Sequence, residues 1–363
     1  MRLTSKAVRE IGRRYDDAGL EQALYAQPRP SASPILEEGQ RHRIIAMVCS
    51  DPPEGHARWT VRLVVEEAVQ AAGWCRVWAG KPFGCYSSTT TSSLGGKKMG
   101  SVPELDEQYI TKMEDVLETY EQPYDPKQPV VCVDEKPITL HADVRPGSPT
   151  QPGWEARQDS EYKRCGTANV FCAVEPKAGR RFTFATPDRS GFEFARVVCE
   201  LALQYPAAET IHLVMDNLHI HRRKSLTGAF GLALGSEIWD RFTVHYTPTH
   251  GSWLNQAEIE IGIFSRQCLG KRRIPNLRTL RRQTRAWNRR INRAGTKIHW
   301  QFNRRAARRT FHYNTNFSKR SHNELIVNKV EANICINAEF LLSVIRFIRL
   351  LSLDNMSSGP ERL

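Results

Sequence analysis

Apolar positions follow two different periods along this chain. From residue 129 onward they come in short runs bounded by turn residues, the pattern of β-strands. The segment 129–136, "PVVCVDEK", runs apolar residues into Asp134, and 138–144, "ITLHADV", alternates. Residues 166–176 and 180–187 repeat the strand pattern. An amphipathic helix is predicted over 191–206, a buried strand over 210–217 that ends in Asp216, and another strand over 241–248. A helix then starts at Asn255. Strand runs followed by a helix, two further strands and a helix predict an α/β layer.

Before residue 129 the spacing is helical. Residues 3–27 predict a short helix, a turn at Gly19 and a second amphipathic piece, with Lys6, Arg9, Arg13 and Arg14 exposed on the first. A Pro/Ser linker follows at 27–34, then a second helical unit over 35–73 that is broken by Asp51-Pro52-Pro53. Two such units suit a bipartite, helix-turn-helix-like DNA-binding region, in which a helix enters the major groove. A generic basic amphipathic helix fits the first stretch equally well. The domain plan is a helical region over 1–73, a linker and connecting helix over 74–128, an α/β domain with basic C-terminal helices over 129–313, and a tail over 314–363.

Charge narrows the choice of partner. The 52 Lys and Arg exceed the 39 Asp and Glu, a net +13 that favours a polyanion, nucleic acid before membrane. Residues 271–309 hold fifteen Lys and Arg and no Asp or Glu, with Trp287, Trp300 and Phe302 interleaved. Such a run repels itself without a polyanion, and DNA backbone is the expected partner of Arg281, Arg282, Arg289 and Arg290, with Arg9, Arg13 and Arg14 near the N-terminus. Nine Cys without a C-x-x-C pair argue against a zinc module or a disulfide framework and point to a reducing cytoplasm. No signal peptide opens the chain, and "AEFLLSVIRFIRLL" near its end is too short and too charged to span a bilayer.

The candidate chemistry lies in carboxylates at strand ends. Asp134 and Asp216 each close an apolar run, where α/β folds place ligands, and Glu258 lies on the helix after the next strand. Oxygen ligands from three elements are what hard divalent cations take, and two such ions support in-line phosphoryl displacement. Glu260 is two residues on, about 200° round the helix, and is not expected to share that face. Glu135 is expected on the opposite face of its strand from Asp134, as a supporting residue behind the ligands. Lys136 is placed to touch a DNA phosphate, Asn217 and His221 to support Asp216, and Asn255 to shape the turn before Glu258. A zinc site from His219, His221, His245 and His250 lacks tight spacing and a Cys partner.

The blocks "VVCVDEKP", "HLVMDNLHIH" and "HYTPTHGSWLNQAEI" resemble the three catalytic blocks of DDE transposases of the bacterial insertion sequence 630 family, in the mariner superfamily. The resemblance spans about residues 1–313 and implies an RNase H-like fold: a mixed five-stranded sheet with flanking helices, preceded by helix-turn-helix-type helices. It implies Asp134, Asp216 and Glu258 as the triad, separated by 216−134 = 82 and 258−216 = 42 residues. Two Mg²⁺ or Mn²⁺ would be the cofactors. Terminal inverted repeats and target DNA, cut at TA sites, would be the partners of a homodimer in the bacterial cytoplasm, at the nucleoid.

Glu260 departs from the family, which usually has an aromatic there. Residues 75–100 and the chain after about Ser318 depart too, and the beginning reads as cut short, as in a degraded copy. A catalytically inactive DNA-binding remnant is therefore the rival reading, and a nuclease of RNA–DNA hybrids is a third that has no need of N-terminal DNA-binding helices.

Overall fold

The computed structural model describes residues 4–24, 37–72, 105–149, 151, 154 and 156–313. The linker expected at 27–34, the Ser/Thr/Gly-rich segment 75–100 and the tail 314–363 lie outside the described residues.

Five strands form one mixed sheet: β1 (Val130–Asp143), β2 (Tyr162–Glu175), β3 (Arg180–Thr186), β4 (Ile211–Met215) and β5 (Phe242–Tyr246), in the order β3-β2-β1-β4-β5. The first three pair antiparallel, whereas β4 and β5 continue parallel to β1. This is the RNase H-like arrangement. The runs expected at 129–136 and 138–144 are one strand, continuous through Pro137. Its pairing explains why proline is tolerated there: β4 borders β1 only at Val130, Val131 and Cys132, and no described strand pairs with β1 on that side at Pro137.

Alternation sorts the side chains into two layers. Val131, Val133, Phe171, Ala173, Leu213 and Met215 pack against α5 (Gly191–Gln204) with α6 (Arg223–Phe230) and α7 (Leu232–Asp240). On the other face Cys132, Val174 and Val214 meet α4 (Glu107–Glu121) through Met113, Val116 and Leu117. Beside them Val170 and Cys172 meet Phe264, Leu280 and Trp287 from α8 (Ala257–Phe264) and α9 (Leu277–Ala294). The helix α4 is thus a packed layer of this core. A π-helical turn, Ser265–Leu269, separates α8 from the chain that leads into α9, and α10 (Arg304–Phe311) lies against α4.

Near the N-terminus α1 (Ser5–Leu24) is kinked at Gly19, where φ is 82°. Then come α2 (Glu38–Cys49) and α3 (Val61–Ala72), separated by the segment around Asp51-Pro52-Pro53. The turn before α3 is seated on the catalytic domain. Gly55 N–H donates to Gln283 Oε1 at 2.7 Å and Ala57 N–H to the Gln267 carbonyl at 2.7 Å. Gly55 has φ of 87°, and a Cβ there would lie 2.4 Å from the Trp287 backbone nitrogen, so only glycine fits this approach.

Candidate active site

Asp134 is half-buried where β1 loses its β4 neighbour, on the same sheet face as Cys172 beside it. Burial pushes its carboxyl up to about 7. The Glu135 N–H, donating to Asp134 Oδ1 at 2.8 Å, opposes that shift, and the charges of Glu258, Glu135 and Asp216 add to it. The fold therefore concentrates four carboxylates around one rim. A half-buried acid surrounded by acids is costly without a cation to share.

Asp216 follows β4 directly. Burial raises its carboxyl, but the His221 imidazole, 2.7 Å from Oδ1, and the Leu218 N–H at 3.2 Å outweigh that and leave it below the ordinary range. Arg189, exposed in the loop after β3, lowers it further. His221 itself is fully buried and packs against Phe194, with ring centres 4.7 Å apart and planes tilted by 40°. Burial lowers its pKa, yet Asp216 and Glu135 together raise it to about 9. Its Nε2 is 3.4 Å from Glu135 Oε2, a charge contact without hydrogen-bond alignment. Glu135 thus reaches from the opposite face of β1 to the histidine that holds Asp216.

Glu258 stands exposed in the first turn of α8. Asn255 sets that turn. Its side chain, almost completely buried, donates to the Val133 carbonyl at 2.8 Å and accepts from Ala257 N–H at 3.1 Å. One amide therefore joins the residue before Asp134 to the residue before Glu258. The turn that leads in is compact: Gly251 N–H donates to the Pro248 carbonyl at 2.8 Å, and a Cβ on Gly251 would lie 2.5 Å from the Pro248 ring.

Glu260 has a different environment altogether. It is fully buried, with Oε2 2.9 Å from Nε of the equally buried Arg181 on β3. Burial raises its carboxyl and Arg181 draws it back. The two acids of α8 are divided between rim and interior, and Glu260 is an internal counter-ion that crosses the sheet to its edge strand.

The remaining expected residues are distributed as follows. Lys136 is half-buried two positions from Asp134 on the same face of β1, and Asn217 is exposed. Arg13 pairs with Glu10 at 3.1 Å, Arg14 leans on the Glu10 carbonyl at 3.4 Å, and Arg9 is exposed. Within the basic run Arg282 pairs with Glu54 at 3.1 Å and Arg290 with Glu67 at 2.5 Å. Arg281 donates to the Ala185 carbonyl at 3.2 Å, and Arg289 is exposed. The run thus finds acids from α3 and its leading turn, and α10 finds them on α4 through Arg304 with Glu118 and Glu121 and Arg308 with Glu114. The interleaved aromatics are structural: Trp287 is fully buried, and Trp300 and Phe302 pack against the α4 cluster. The four histidines of the zinc alternative do not share one site, since His221 serves Asp216 while His245 Nδ1 is 2.8 Å from Asp115 and its Nε2 2.9 Å from His212 Nδ1. Among the described residues no three His, Cys, Asp or Glu side chains are gathered closely enough to ligate a metal as they stand.

Arg189 and Arg181 were absent from the sequence-based site. Arg189 follows a strand that ends on the same rim, which is a usable signal. Nothing local marks Arg181, whose partner is 79 residues away.

No curated protein matches the chain. Among solved structures, the Mos1 mariner paired end complex with Mn is 12% identical, over 82% of this chain and 90% of that one, with a TM-score of 0.32. The Mos1 strand transfer complex is 13% identical, over 81% and 84%, with a TM-score of 0.32. Residues 129–281, which build the whole sheet and carry all three acids, match the family model described as DDE superfamily endonuclease.

Proposed function

We propose that the protein is a transposase of the insertion sequence 630 family, which cleaves DNA at the element's terminal inverted repeats and joins the freed 3′ end to target DNA, at TA sites, as a homodimer. The observation that carries this reading is the electrostatics of Asp134, an acid raised first by burial and further by three neighbouring carboxylates. Asp134, Asp216 and Glu258 would hold two Mg²⁺ or Mn²⁺. The donor set fits hard cations, being all carboxylate oxygen with one member, Glu258, open to solvent. What bound divalent cations supply at such a rim is activation of the attacking oxygen and stabilisation of the leaving one.

The chain's own residues prepare that rim. His221 orients Asp216, and Asn255 holds the helix of Glu258 to the strand of Asp134. Lys136 and Arg189 offer cations to a phosphate on the Asp134 side and the Asp216 side respectively. No protein nucleophile is required. A DNA duplex carrying the gene's own flanking sequence, incubated with the protein and Mg²⁺ or Mn²⁺, is expected to be nicked at the element end. Asp134→Asn is expected to bind the duplex and leave it intact. Binding without cleavage by the unaltered protein, in either ion, would replace this reading with that of a DNA-binding remnant of a degraded copy.

A further inference from the structure

The helix α9 separates its arginines by partner. Arg278, Arg285, Arg289 and Arg293 are all exposed, and none makes an ion pair with a described residue; Arg285 alone lies within electrostatic reach of an acid, Glu200. They are 285−278 = 7, 289−285 = 4 and 293−289 = 4 residues apart. At 100° per residue they share about 80° of helix circumference and extend over about 22 Å. Arg282, in the same sector, is tied to Glu54. The opposite side carries Leu280, Thr284 and Trp287, all buried in the core.

The position of α9 is fixed by side chains that complete an edge strand. Asn292 Oδ1 accepts from Arg181 N–H at 2.8 Å, and its Nδ2 donates to the Arg181 carbonyl at 2.7 Å. Arg281 reaches the Ala185 carbonyl at the other end of β3. The helix therefore runs antiparallel to β3, and the β3 residue Thr183 is level with Asp134 through Cys172. Two strand spacings, about 10 Å, separate β3 from β1 at that level.

Resting on the proposed reaction on DNA, we infer that the stripe Arg278–Arg285–Arg289–Arg293 is a track for the phosphate backbone of duplex DNA flanking the cleavage rim, and that it binds without regard to sequence. The charge on the stripe is one-signed, and among the described residues no acid forms an ion pair with it, Glu200 reaching Arg285 only through space. The aromatics of the same segment are turned into the core, which removes the stacking platforms that single strands use. Phosphate contacts from arginines position a duplex and carry no base information.

The test is fluorescence anisotropy on the whole chain in EDTA, with labelled duplexes of random sequence and of the gene's flanking sequence, across a series of salt concentrations. The variant R278Q/R285Q/R289Q/R293Q is expected to keep its melting temperature and lose about three to four phosphate contacts. Its slope of log K against log salt would then flatten by about 2.7–3.6 on both duplexes. R289Q alone is expected to flatten it by about 0.9. A second variant, R281Q/R282Q/R290Q, removes three nearby charges that already have partners, and should change the slope by less than one contact. An unchanged slope in the quadruple variant, an equal loss per charge in both variants, or an effect confined to the flanking sequence would each overturn the track. Because the measurement excludes metal and cleavage, it stands even if the protein cuts nothing, and a failed cleavage assay leaves it untouched.

Discussion

The carboxylate rim and the seam between α3 and α9 treat charge in opposite ways. At the rim Asp134 is raised by burial and further by Glu258, Glu135 and Asp216, and among the described residues no lysine or arginine pairs directly with it. At the seam Arg282 has Glu54, and Arg290 has Glu67 with Glu66 behind it. Within the sheet the rule of the seam returns, because the buried Glu260 has Arg181. Charges that serve the fold are neutralised inside the fold. Charges left uncompensated, at the rim and along the outer stripe of α9, mark where something from outside completes the balance.

The sharpest way to break this contrast is to neutralise the rim. Asp134→Asn, Asp216→Asn and Glu258→Gln are each expected to reduce strand cleavage by at least about 10³-fold, a loss of about 4 kcal/mol of transition-state stabilisation or more. Duplex binding in EDTA should survive. Asp134→Asn should also raise the melting temperature of the metal-free protein, since it removes a charge disfavoured by burial and by the neighbouring acids. Calorimetry would show this, and a large destabilisation would mean that Asp134 is a structural acid.

The same kind of change in the interior should act on stability. Glu260→Leu leaves the Arg181 guanidinium buried and uncompensated, at an expected cost of about 3–5 kcal/mol by urea unfolding. The double variant Arg181→Met/Glu260→Leu should recover most of that loss. If Glu260→Leu folds normally and only cleavage fails, Glu260 is the third acid of the site and Glu258 is not.

These two acids show what the sequence made legible. The order of strands and helices, and the Asp residues that close two apolar runs, follow from patterns that are local in the chain, although Asp134 lies inside β1 and not at its end. The helical period also separates Glu258 from Glu260. What no local pattern contains is the partner: Arg181 lies on a strand 79 residues earlier. Nor do fifteen basic residues without an acid between 271 and 309 reveal that α3 and α4 supply acids to several of them. A charge run read along the chain overstates the charge that remains free in the fold. His221 illustrates the reverse case, a motif residue whose place was legible and whose link to Glu135 needed the structure.

Acidity offers a gentler probe of the rim. An aspartate raised to about 7 in the folded protein and near 3.8 when unfolded binds more protons in the native state across that interval. Its contribution to stability is therefore present below about pH 4 and is lost as pH rises toward 7. His221, raised to about 9, contributes stability that is complete below its ordinary 6.5 and disappears as pH rises through 9. Stability curves of the metal-free protein and of Asp134→Asn should converge at low pH and separate by pH 7, with the variant higher. Divalent cation affinity, measured by calorimetry, should rise between pH 6 and 8, because binding expels the Asp134 proton.

The smallest effects are expected at the seam, and they test whether pairing there is merely local. Arg282 is 62% exposed and Glu54 53%, so solvent screens them, and Arg282→Gln should cost no more than about 1 kcal/mol. Arg290 is only 23% exposed and Glu67 24%, and Arg290→Gln should cost more than Arg282→Gln although it removes the same charge. Raising salt from 0.05 to 0.5 M should erase most of the Arg282 effect and leave most of the Arg290 effect, because half-buried pairs are screened less. Thermal melts of the two variants at both salt concentrations would decide it. Equal, fully salt-sensitive losses would mean that the seam is held by a general attraction between an acidic helix and a basic one. The backbone contacts of Gly55 and Ala57 would then be what sets its register.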